Sequence, residues 1–138
     1  MKFEDFTKEG NVKKASPDKA LVKSLVITAN SDLKFLDRLE INKNSSRKIM
    51  VNYYDVLRSI LEAISSLDGY KIYSHEAFTY YLKEKSEEVL SIKFDRFRKI
   101  RNSINYYGKN ISIDETKENV KDIKNMINVL INKYLNEI

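Results

Sequence analysis

Six basic side chains crowd one short stretch of this chain. Between Ile92 and Lys109 stand Lys93, Arg96, Arg98, Lys99, Arg101 and Lys109, with Asp95 as the one acid. The whole chain holds 25 Lys and Arg against 20 Asp and Glu, a formal charge of +5, so this stretch carries the entire excess. A basic excess confined to one segment marks an anion or nucleic-acid footprint, or else a solvated helix face. Arginine brings planar, permanently charged donors that match phosphate, and asparagine brings a donor and an acceptor together. At about 100° per residue, Phe97, Ile100 and Ile104 fall within about 60° of one another and must face a core. Arg101, Asn105, Arg98 and Asn102 then follow at about 40°, 80°, 100° and 140° from Phe97, a polar strip beside the apolar stripe. Such a strip lines a cleft or faces a partner subunit. Its plainer use is a surface laced by i,i+4 pairs, Asp95 with Lys99 among them. Tyr106 lies about 180° from Phe97 and points outward, whereas Tyr107 is expected in the core.

Composition narrows what the strip can do. A length of 138 residues suits one domain. With no cysteine there is no disulfide, thiolate metal site or thiol nucleophile. The single histidine, His75, excludes imidazole-cluster metal sites and leaves a Ser–His–Asp triad only if His75 serves it. Neither a metal nor a cofactor is expected. Gly10, Gly69 and Gly108 are isolated, so no glycine-rich loop cradles a phosphate, and NTPase and dinucleotide-binding classes drop out. No apolar run approaches the ~18 residues of a membrane span, and MKFEDFTKEG lacks the apolar region of a signal peptide. A soluble, cytoplasmic protein without membrane contact is the expectation.

Helices must position the strip. One proline and three glycines cannot supply the turns of a many-stranded fold. Residues 1–15 show no period and read as a flexible arm, and 16–138 as a single helical domain. Ser16-Pro17-Asp18 reads as a helix start with Ser16 as cap, followed by Leu21, Leu25, Ala29, Leu33, Leu36 and Leu39 at helical spacing. A second helix carries Ile49, Tyr53, Val56, Leu57, Ile60, Leu61, Ile64 and Leu67 and closes at Asp68-Gly69. Tyr70–Tyr73 reads as a connector, Ser74 as the cap of a third helix, and 86–91 as a break. The fourth helix then runs from about Ile92 to Tyr107 with Gly108 as its stop, and Ser112 with Glu115 caps the fifth. The fold class is all-α, an antiparallel bundle of about five helices.

The segment Arg98-Lys99-Ile100-Arg101-Asn102-Ser103-Ile104-Asn105-Tyr106-Tyr107-Gly108 resembles the signature of HEPN-domain proteins, the higher-eukaryote and prokaryote nucleotide-binding family. That signature is an Arg, often followed by Asn or another polar residue, then four to six residues, then His, on the penultimate long helix. The resemblance extends loosely from Ser16 to Ile138 and includes the Tyr53-Tyr54 helix and Gly69–Ala77. It implies an all-α homodimer whose signature helices meet across a cleft. It also implies metal-independent ribonuclease activity of the toxin–antitoxin type, with a nucleotidyltransferase as partner, or a non-catalytic binding module. Arg101 and Asn102 take the signature's first positions, and Tyr106 stands where the catalytic His would be. A phenol titrating near ~10 is a poor proton shuttle beside an imidazole near ~6.5. Three readings are open: an RNA- or nucleotide-binding protein using Arg98, Arg101 and Asn105, with weak catalysis by Arg101, Asn102 and Tyr106; a module holding a partner protein; and a ribonuclease in which Tyr106 or His75 replaces the missing His.

Two other residues compete for roles. His75 sits in the first turn of its helix, where the dipole favours neutral imidazole, and reads first as a surface or capping residue. Arg58 reads as lying on the polar side of the second helix with Tyr54 and Asp55, exposed or ion-paired. The nine tyrosines suit half-buried core edges, with Tyr53-Tyr54 and Tyr80-Tyr81 each expected to send one ring inward and one outward.

Overall fold

The computed structural model describes residues 1–138. Its elements run α1 (Phe3–Lys8), β1 (Val12–Lys14), α2 (Lys19–Asp37), α3 (Ser46–Leu67), β2 (Tyr70–Ile72), α4 (His75–Glu84), α5 (Glu88–Tyr107) and α6 (Ile113–Tyr134). The fold is an all-α bundle of six helices with one two-stranded antiparallel ribbon. No helix is long and apolar enough to cross a membrane.

α3 is the axis of the molecule. Its buried side chains include Ile49, Met50, Tyr53, Tyr54, Leu57, Ile60, Leu61 and Ile64, which together cover more than one stripe of a helix. It packs against α2, α6, α5, α4 and β2. Tyrosine hydroxyls then tie helix ends to carboxylates: Tyr53 donates to Asp37 at 2.5 Å, Tyr134 to Glu87 at 2.5 Å, and Tyr81 to Asp68. Each such bond to a charged acceptor contributes about 1.5–3 kcal/mol where it is shielded from water.

The N-terminal segment is not an arm. α1 buries Phe3 and Phe6, and β1 pairs with β2 so that Val12 sits opposite Ile72, both in the core. Phe3 meets Tyr70 edge-on at 5.2 Å between centroids, and Phe6 lies against Tyr80. Six helical residues are too few to display a period, so burial by neighbours distant in sequence decides this segment. Likewise Tyr70–Ile72 is a strand rather than a plain connector, because β1 supplies its partner.

The helix ends follow capping chemistry with two adjustments. Asp18, not Ser16, caps α2 by accepting from the Leu21 amide at 3.0 Å. α5 begins at Glu88, several residues before the apolar pattern does, with Glu88 at the positive end of the dipole. Ser74 and Ser112 cap α4 and α6 through the Ala77 and Glu115 amides, and Gly108 ends α5 at φ 62°, a left-handed conformation that favours glycine. Tyr53 and Tyr54 are both buried because α3 is surrounded, and Tyr107 is exposed because the core ends at Ile104.

Candidate nucleic-acid interface

α5 buries Phe94 and, with its earlier start, Ser91 alongside Phe97 and Ile104. Phe94 lies about 60° from Phe97 and Ser91 about 120°, so Arg101 and Arg98 fall between buried positions instead of beside them. The strip is therefore drawn inward and divides by residue.

Three of the six basic side chains are ion-paired. Arg98 donates through Nε and Nη2 to the same Asp95 oxygen at 3.1 and 2.8 Å, and its side chain keeps 15% of its exposure. Thr79 and Lys99 share that carboxylate at 3.1 Å each, and Arg96 pairs with Asp122. Arg98 and Lys99 hold Asp95 below the usual carboxylate range despite its partial burial. For Arg96, Arg98 and Lys99, then, the plain reading of a pair-laced helix holds.

Arg101 is different. Its Nη1 donates to the Tyr106 hydroxyl at 3.1 Å and to Asn102 Oδ1 at 3.3 Å, and it pairs with no carboxylate. The guanidinium carbon lies 5.8 Å from the centre of the Tyr54 ring and 5.4 Å from that of Tyr106. Its Nε is buried with no acceptor. A buried donor left unmade costs about 1–3 kcal/mol, more when charged. Arg101, Asn102 and Tyr106 are thus brought together. Asn105 is exposed near the end of α5 and makes no side-chain hydrogen bond there.

The site has a floor that sequence reasoning missed. Tyr54 is fully buried beneath Arg101, and its ring stacks on Phe94 at 5.6 Å and on His75 at 5.8 Å. The Tyr54 hydroxyl is hydrogen-bonded to His75 Nδ1 at 2.9 Å. His75 is consequently a half-buried member of the cluster and not a surface cap. Burial, then the fields of Arg58, Arg101 and Arg98, lower its pKa to about 4. Burial raises the Tyr54 phenol well above its ordinary value, against the opposing pull of Arg101, Arg58 and Arg98. At neutral pH the imidazole and phenol are both uncharged, and three arginines surround them.

Arg58 pairs with Glu62 at 3.2 Å, and Glu62 also accepts from Lys71 at 2.6 Å. Asp55 makes no ion pair: burial raises its pKa, while Arg58 and Arg101 pull it down. The one signal for this floor was the width of the α3 apolar arc, since Met50, Tyr54 and Leu61 form a second stripe beside the first. No group of three or more His, Asp or Glu side chains gathers as a metal would require.

Chemically, the cluster is a cation on an aromatic bed. Its guanidinium is oriented by a phenol and an amide, and its imidazole is neutral. It can receive one anionic oxygen pair at Arg101, offer the Tyr106 hydroxyl as a donor and stack a base on an exposed ring. Comparison with protein-family models, with curated proteins and with solved structures finds no match for this chain.

Proposed function

We propose that this chain is a HEPN-like cytoplasmic homodimer that binds RNA through its phosphodiester groups, of the toxin–antitoxin type, with only weak metal-independent ribonuclease activity. The supporting observation is Arg101, a half-buried guanidinium with an orphaned Nε, no carboxylate partner and two aromatic rings beneath and beside it. The other arginines either pair with acids, as Arg58, Arg96 and Arg98 do, or are exposed, as Arg38 and Arg47 are; Arg101 alone is half-buried without a carboxylate. One left unpaired among other cations suits an anion brought from outside. The acid–base groups account for weak catalysis. Tyr106 is a phenol, and an imidazole with a pKa of about 4 is a poor base and cannot serve as an acid at pH 7.

Self-association has its own support on α5, where Val89 and Ile92 are each 65% exposed and Tyr107 is 76% exposed. These large apolar side chains lie about 120–180° around α5 from Arg101, so they suit a second copy docked on the face of the helix turned away from it. They also suit a partner protein, a nucleotidyltransferase in the family the chain resembles.

Fluorescence anisotropy with a single-stranded RNA at several salt concentrations tests the reading. Affinity is expected to fall steeply with salt, and Arg101→Ala to weaken binding and reduce the slope by about one. Absence of binding at low salt, with wild type folded, overturns it and leaves the partner-protein reading in front.

A further inference from the structure

The β1–β2 ribbon has two unlike faces. Register places Val12 opposite Ile72 and Lys13 opposite Lys71. Side chains alternate along a strand, so Val12 and Ile72 face the core while Lys13, Lys71 and Tyr73 share the outer face. Like charges directly opposite one another destabilise a strand pair. Here they stand over an aromatic ring: Lys13 Nζ is 5.6 Å and Lys71 Nζ 6.0 Å from the centre of Tyr73. Tyr73 is 58% exposed, yet its backbone is fixed, because its amide donates to the Asn11 carbonyl at 2.7 Å. Beside it lies a cleft of about 360 Å³ whose walls include Lys13, Lys14, Lys71 and Tyr73.

Two links join this surface to the Arg101 cluster. Tyr73 is two residues from His75, which touches Tyr54 under Arg101. Lys71 and Arg58 grip opposite oxygens of Glu62, at 2.6 and 3.2 Å. The remaining acid on the cleft is Asp18, whose carboxylate is engaged in capping α2. A held, exposed ring flanked by lysines is the arrangement that stacks a base while its phosphates meet cations.

We propose that the outer face of the ribbon is a second single-stranded RNA subsite, with one base stacked on the exposed ring of Tyr73 and the adjoining phosphate held by Lys13, the lysine of the pair that no carboxylate engages. Resting on the RNA-binding reading of Arg101, it extends that site from one phosphate to a track along His75 and the ribbon. Stacking without edge recognition makes this subsite tolerant of sequence.

The test compares RNA oligonucleotides of about three and about ten nucleotides by anisotropy, a length comparison suited to single-strand tracks. Tyr73→Ala is expected to weaken the longer RNA about tenfold, Tyr73→Phe to restore it, and the shorter RNA to be unaffected. Lys13→Ala, which disturbs no ion pair, is expected to lower the salt slope of the longer RNA by about one. If Arg101→Ala weakens binding while Tyr73→Ala and Lys13→Ala do not, the ribbon subsite is overturned and the Arg101 reading stands. If wild type binds neither RNA at low salt, both fall together.

Discussion

At the residue scale, the molecule keeps a guanidinium where water can only partly solvate it and gives it no carboxylate. Aromatic faces and a phenol offset part of that cost, and an incoming phosphate would offset the rest. On the RNA-binding proposal, position 106 is where cleavage of a bound RNA would be decided. Its hydroxyl already touches Arg101 at 3.1 Å, so a proton-transfer group placed there would meet the charge-stabilising group directly. Tyr106→His is therefore expected to raise RNA cleavage, by up to ~10²-fold for a positioned acid–base group, and Arg101→Ala in that background to abolish the gain. A gel-based cleavage assay with chelator present reads both. An inert, folded Tyr106→His variant would show that 106 is not the signature's His position. His75 makes a separate prediction. Its pKa is about 4 in the folded protein against about 6.5 unfolded, so the unfolded chain binds the extra proton between those values. Stability should fall as pH drops from about 6.5 to about 4, and urea unfolding of His75→Gln should lose that part of the pH dependence.

At the element scale, α5 presents Arg98 and Arg101 inward because Phe94 holds the helix against Tyr54 and Phe78. Phe94→Ala should cost about 3–5 kcal/mol in chemical denaturation and loosen the site, whereas Tyr107→Ala, exposed at the end of the helix, should leave stability unchanged. Phe6→Ala should cost a comparable amount, the expectation opposite to that for a flexible arm. Where the sequence was legible, one helix face or one helix end carried the information: the α3 stripe, the Ser74 and Ser112 caps and the Gly108 stop. Where it was not, the cause lay between elements. α1 has too few residues to show a period, and β2 looks like a connector until β1 is beside it. The polar Ser86-Glu87-Glu88 run hid the start of α5 and with it Ser91, while Phe94, inside the expected helix at about 60° from Phe97, lies outside the face drawn through Phe97, Ile100 and Ile104. His75 looked like a surface cap because only the packing of α4 against α3 and α5 brings it to Tyr54.

At the scale of the whole molecule, the RNA-binding proposal draws on the Arg101 cluster and the ribbon face, and the homodimer proposal on the exposed apolar residues of α5. Sedimentation equilibrium at tens of micromolar is expected to give a dimer, and replacing Val89 and Ile92 with Asp to give a monomer that still folds. A strict wild-type monomer would overturn the homodimer proposal. The claim on which the rest depends is that phosphate settles at the Arg101 cluster, and the protein contains one reporter for it. His75 is the only histidine, so its ring protons give a single titration curve by NMR in monomer or symmetric dimer. In the free protein the midpoint should lie near pH 4. With saturating RNA, an anion close to the ring favours its charged form, and the midpoint should move up. An unchanged midpoint with RNA bound would place the phosphate elsewhere and contradict the assignment of the site.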